Sequence, residues 1–138
     1  MLHLFVDASY YQETRKAGAG VCVTVAHNRA VLFNVELNGV RSSMHAELRA
    51  AEIALAWVRA GSDVVLVVDN VQTMKAVLLQ PTWFQHLRTC FVTYQPHSRA
   101  WPMRRAHELA QQAARGELTA EHTVTVPGLQ EVVAVAKS

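Results

Sequence analysis

Apolar and β-branched residues in the first third of the chain gather into three short runs broken by turn formers. The runs are residues 2–8 (LHLFVDA), 17–28 (AGAGVCVTVAHN) and 30–39 (AVLFNVELNG), with His27, Asn28 and Arg29 at the turn between the second and third. This pattern predicts three antiparallel strands. The period then changes: over 43–59 (SMHAELRAAEIALAWVR) Met44, Leu48, Ala51, Leu55 and Val58 fall at helical spacing, with Ser42 or Ser43 as N-cap and Gly61 just past the end. A nearly continuous apolar run at 63–70 (DVVLVVDN) predicts a strand buried on both faces, and 71–79 (VQTMKAVLL) a short helix stopped by Gln80 and Pro81. Residues 82–89 are ambiguous, 90–95 (CFVTYQ) predict a fifth strand, and 104–116 (RRAHELAQQAARG) predict an Ala-rich helix closed by Gly116.

The expected order is βββαβαβα. It implies an α/β fold with a mixed five-stranded sheet, three antiparallel strands followed by parallel crossovers, and flanking helices. The main domain is expected over 1–116, with 117–138 as a C-terminal tail. Two β-branched runs in that tail leave three fates open: pairing at a sheet edge, packing beside the last helix, or partial disorder. There is no internal repeat, low-complexity segment or linker.

Composition adds bounds. With 138 residues, 51% of them apolar, the chain can bury one ordinary core. A net charge of +2, from 13 Lys plus Arg against 11 Asp plus Glu, does not by itself announce a nucleic-acid binder. Cys22 and Cys90 sit inside strand-like runs without metal-type spacing, and read as small core residues of a reducing compartment. No stretch approaches the ~18 apolar residues of a membrane span, and the start lacks signal-peptide features. A cytoplasmic protein without membrane contact is expected.

The chemistry begins with Asp7, an isolated carboxylate on a strand expected to be buried, where charge is costly. Asp69 stands in the same way at the end of the 63–70 run, in VVDN as Asp7 does in FVDAS. In an open α/β sheet, sites form beyond the carboxyl ends of strands. If the first and fourth strands are neighbours, the two acids meet, and a divalent cation is the simplest way to offset their repulsion. Glu47 is the third candidate, beside the apolar face of the first helix. Taken alone it reads as an acid favoured by the helix dipole, but with Asp7 and Asp69 it reads as a ligand. Glu52, five residues on, is expected to point elsewhere.

Over residues 2–116 the chain resembles the ribonuclease H type 1 domains, within the wider group of ribonuclease H-like nucleases. The likeness lies in FVDAS, the GAG before the second strand, HAELRAAEIAL, VVDN and HSRAWPMRRAHELAQQAA. It implies two divalent ions, Mg²⁺ or Mn²⁺, with Asp7 bridging both, Glu47 holding one and Asp69 beside the attacking water. It also makes His97 the mobile histidine of the site and His107 the fourth metal ligand. The family usually has Asp at that fourth place, although related nucleases use His. Imidazole is a softer, uncharged donor, so Mn²⁺ should gain relative to Mg²⁺.

The implied activity is hydrolysis of the RNA strand of RNA/DNA hybrids by a monomer, leaving 5′-phosphate and 3′-hydroxyl ends. Ser9, Arg41, Ser42, Ser43 and Asn70 fall where substrate would be held. The RSSMH loop departs from the family in offering serines, and Met44, where amides are usual. The short interval from Asp69 to His97 leaves no room for the extra helix and basic handle of some members. Arg41, Lys75, Arg99, Arg104 and Arg105 are candidate phosphate contacts, while Trp83 and Trp101 either stack on substrate or, more simply, pack. Two other readings stand beside this one: a junction-resolving DNA nuclease, and a non-catalytic nucleic-acid-binding module.

Overall fold

The opening runs form the meander. In the computed structural model, which describes residues 1–25, 28–96 and 100–126, β1 (Leu2–Tyr11) pairs antiparallel with β2 (Lys16–Val25), and β2 with β3 (Arg29–Leu37). β1 runs three residues beyond the expected end, because its ladder to β2 continues to Tyr11 opposite Lys16. The chain then enters α1 (Ser43–Trp57), capped where Ser42 Oγ accepts from the His45 amide at 3.1 Å. β4 (Asp63–Val68) returns parallel to β1, α2 (Val71–Leu78) follows, and β5 (Thr89–Tyr94) lies parallel to β4. The ambiguous stretch contributes a single 3₁₀ turn at Pro81–Trp83.

α3 (Trp101–Ala114) begins three residues before the expected start. Pro102 sits in its first turn, where a missing amide hydrogen costs nothing, so the proline starts the helix rather than blocking it. The sheet has six strands in the order β5-β4-β1-β2-β3-β6, against the five expected. The addition is β6 (His122–Thr125), from the tail, which pairs antiparallel with β3 and covers what would be an open edge. A four-residue β-branched run has no alternation long enough to announce itself; its partner strand makes it a strand.

Helices cover both faces. On one, alanines of α1 (Ala46, Ala50, Ala51, Ala54) and Leu55 pack over Leu4, Val6, Val21, Val23 and Leu66. On the other, Met103, Ala106 and Leu109 of α3 pack over Phe5, Cys22, Leu32 and Val67. The GAG of β2 accounts for the closeness of α3. Gly18 and Gly20 face it, and a Cβ on Gly20 would run into the Ala106 carbonyl oxygen and lie 2.6 Å from the Ala110 nitrogen. Only glycine allows that approach. Trp83 packs against the first core and Trp101 against the second, so both indoles serve packing.

Candidate active site

β1 is the strand at which the sheet changes from antiparallel to parallel neighbours. Its ladder to β4 ends at Phe5 opposite Val67, and two residues further along each strand stand Asp7 and Asp69. Beyond the last pair a side chain from α1 can reach the strand end. Glu47 does so, in the second turn of α1, a helix with no acid in its first turn. One carboxylate oxygen from each of Asp7, Glu47 and Asp69 lies within 4.8 Å of the others. Glu52 instead pairs with Arg49 along the helix.

Three anions this close cannot all be charged cheaply. Burial raises the Glu47 carboxyl to about 10, reinforced by the charges of Asp7 and Asp69 and by a hydrogen bond with Asp7, while the Ala8 amide opposes the rise. Asp7, itself buried, is also raised, first by burial and then by Asp69, against a lowering hydrogen bond from His107. The donors are hard oxygens gathered at a strand end, and the Asp7 and Glu47 anions are disfavoured where they stand. That set fits divalent cations such as Mg²⁺ or Mn²⁺.

His107, on the second turn of α3, places Nδ1 2.6 Å from Asp7 Oδ2. It is not one of the three side chains whose ligand atoms lie within 4.8 Å of one another, and more than half of its side chain is exposed. His97 and Arg99 lie outside the described residues. Asn70 turns inward: Oδ1 accepts from the Thr73 amide at 2.8 Å, capping α2, and Nδ2 donates to Asp69 Oδ1 at 2.9 Å. In this arrangement Asn70 orients a carboxylate. Ser9 stands half-buried two residues beyond Asp7 on the same face of β1.

An open cleft of about 1090 Å³ lies between the β1–β2 hairpin and the loop before α1. Arg41, Ser42 and Ser43 line it from the loop, while Tyr10, Gln12 and Arg15 line it from the hairpin. The sequence reading missed those last three. Their only signal is a hairpin turn following Asp7, where Arg15 takes a left-handed backbone with φ 58°. Lys75 lies in α2, and Arg105 is paired with Glu108 at 3.1 Å. Cys22 and Cys90 are free thiols that burial pushes up to about 12 and about 11, so neither is a nucleophile at neutral pH.

The family model described as RNase H matches residues 1–127. No curated protein matches the chain. Among solved structures, the fold is similar to RNase H1 of the halophilic archaeon Halobacterium salinarum NRC-1, at 15% identity and TM-score 0.60, covering 83% of this chain and 98% of that one. It is similar also to LC9-RNase H1, described as a type 1 RNase H with the type 2 active-site motif, at 16% identity and TM-score 0.67, covering 96% and 80%. A third is the N-terminal RNase H domain of a Mycobacterium tuberculosis protein, solved fused to maltose-binding protein, at 18% identity and TM-score 0.53, covering 82% and 98%. At these identities the structural likeness is one of fold.

Proposed function

The chain belongs to the RNase H family, and from that premise we propose that it hydrolyses the RNA strand of RNA/DNA hybrids with the help of two divalent cations. The observation that carries the proposal is the meeting of Asp7, Glu47 and Asp69, from β1, α1 and β4, within 4.8 Å. These three side chains hold the ions, and His107 is the fourth ligand. Divalent cations bound there supply the charge that activates water and steadies the leaving 3′-oxygen.

The chain's own groups set the stage for that chemistry. Asn70 fixes the rotamer of Asp69, the Ala8 amide supports Glu47, and His107 Nδ1 holds Asp7 Oδ2. In the cleft, Arg41 offers charge to phosphate, and Ser42 and Ser43 offer hydroxyls to the RNA sugar edge, where 2′-hydroxyls distinguish RNA from DNA. Ser9 offers another hydroxyl from the Asp7 face of β1. His97 moves a proton or helps the product leave. The chain acts as a monomer.

A labelled RNA/DNA hybrid and a labelled four-way DNA junction, each incubated with Mg²⁺ and Mn²⁺ titrated separately, test the reading. The hybrid is cut to 5′-phosphate products only when metal is present, and Asp7→Asn or Asp69→Asn reduces cleavage to background. Cleavage of the junction alone assigns a resolving nuclease, and no cleavage of either a binding module. Undiminished turnover in Asp7→Asn or Asp69→Asn removes the site.

A further inference from the structure

Among the described residues, Asp7, Asn34 and Thr73 are the buried polar or charged side chains. Asn34 lies mid-strand in β3, where an amide is a poor β former and costly to bury unless its groups are paired. Its Nδ2 donates to the Leu109 carbonyl at 3.0 Å and to the Glu117 carbonyl at 3.0 Å, and its Oδ1 accepts from the Thr119 amide at 2.6 Å. Two carbonyls on one side and an N–H on the other fix the amide in a single orientation.

The place of this side chain in the sheet gives it a consequence at the carboxylates. Asp7 is opposite Gly20 across the β1–β2 ladder, and Gly20 is opposite Asn34 across β2–β3, so the three form one row on the α3 face. α3 crosses over the glycine in the middle. It is held on one flank by His107 on Asp7 and on the other by its Leu109 carbonyl on Asn34. Two residues apart on a helix is about 200° around its axis, so the two bonds grip opposite sides.

The helix face over β2 is made mostly of small side chains. Ala106, Ala110, Ala113 and Ala114 give low ridges, with Leu109 and Met103 the larger buried residues beside them, so the hydrogen bonds at the two flanks add to a weakly ridged contact. A roll of about 10° moves an atom at the helix surface by roughly 1 Å, enough to part His107 from Asp7. We propose that Asn34 is a positioning residue for His107, fixing the rotation of α3 so that the imidazole stays on Asp7. The metal half of this inference rests on the proposed function; the positioning half stands on the hydrogen bonds alone.

Two measurements test it on the full chain. In metal-free protein, long-range ¹H–¹⁵N spectra of the imidazoles should show His107 in one tautomer, with Nδ1 engaged. Asn34→Ala should return it to the mixed tautomers of free histidine, and so should Asn34→Asp, which keeps the acceptor for Thr119 and serves if the alanine variant does not fold. Calorimetric titration with Mn²⁺ should show affinity reduced about tenfold by either variant. In a His107→Ala background the same change at Asn34 should cost nothing further in affinity.

An ordinary tautomer mixture in the wild type, or a wild-type His107 spectrum in both Asn34 variants, overturns the proposal. So does a loss of Mn²⁺ affinity that is equally large without His107, because that marks a merely structural residue. Absence of Mn²⁺ binding in the wild type defeats the proposed function instead, and leaves the spectra to decide the positioning.

Discussion

At the residue scale, Glu47 carries the sharpest conflict between stability and use. Its folded-state carboxyl, raised to about 10, binds a proton more tightly than it does in the unfolded chain. Between the ordinary value near 4.5 and about 10 the native state therefore holds more protons, and metal-free stability falls as pH rises through that window. Thermal melts without metal should drop from pH 5 to pH 8, and Mn²⁺ should recover the loss at pH 8. Glu47→Gln should melt about 3–6 °C higher than wild type without metal at pH 8, the shift expected from roughly 1 kcal/mol at this chain length, and should gain nothing from Mn²⁺. A second expectation concerns His107: the alanine variant weakens metal dependence of cleavage, and His107→Asp shifts preference toward Mg²⁺, read from metal titrations of hybrid cleavage. The meeting of Asp7 and Asp69 was legible because carboxylates at the ends of apolar runs have few cheap explanations, and Glu47 became legible only in their company. Asn34 was not, since its partners Leu109 and Glu117 lie 75 and 83 positions away.

At the scale of elements, the approach of α3 to β2 links the packing to the site. Gly20→Ala places a methyl against the backbone of Ala106 and Ala110, which cannot bend away as a side-chain tip can. The helix must lift, at a cost of about 1–3 kcal/mol in urea unfolding, and His107 should separate from Asp7. The same row of contacts explains what the sequence reading could and could not reach. The start of α1 and the stop of α3 followed from Ser42 and Gly116, whose chemistry is local, whereas α1 ends at Trp57, two residues before the expected Arg59. The GAG motif could be seen without its reason, because the reason is the backbone of a helix far along the chain.

For the whole molecule, the segment after α3 is tied in at three places. Asn34 binds it at Glu117 and Thr119, Glu121 accepts from Trp57 Nε1 at 3.0 Å, and β6 extends the sheet. Ending the chain at Gly116 should lower stability by about 2–4 kcal/mol in urea unfolding, because Asn34 Oδ1 is left buried without its donor and the β3 edge is opened. The fold class, the meander and the parallel return were legible from changes in periodicity. The sixth strand was not, since a short β-branched run acquires its state from the edge it meets.

The central claim is that carboxylates from β1, α1 and β4 converge to hold divalent cations. Anomalous diffraction from crystals of the wild-type protein grown with Mn²⁺ tests it most directly. Strong peaks bounded by Asp7, Glu47 and Asp69 are expected, absent in Asp69→Asn. Density for Mn²⁺ elsewhere with none between those three side chains would contradict it.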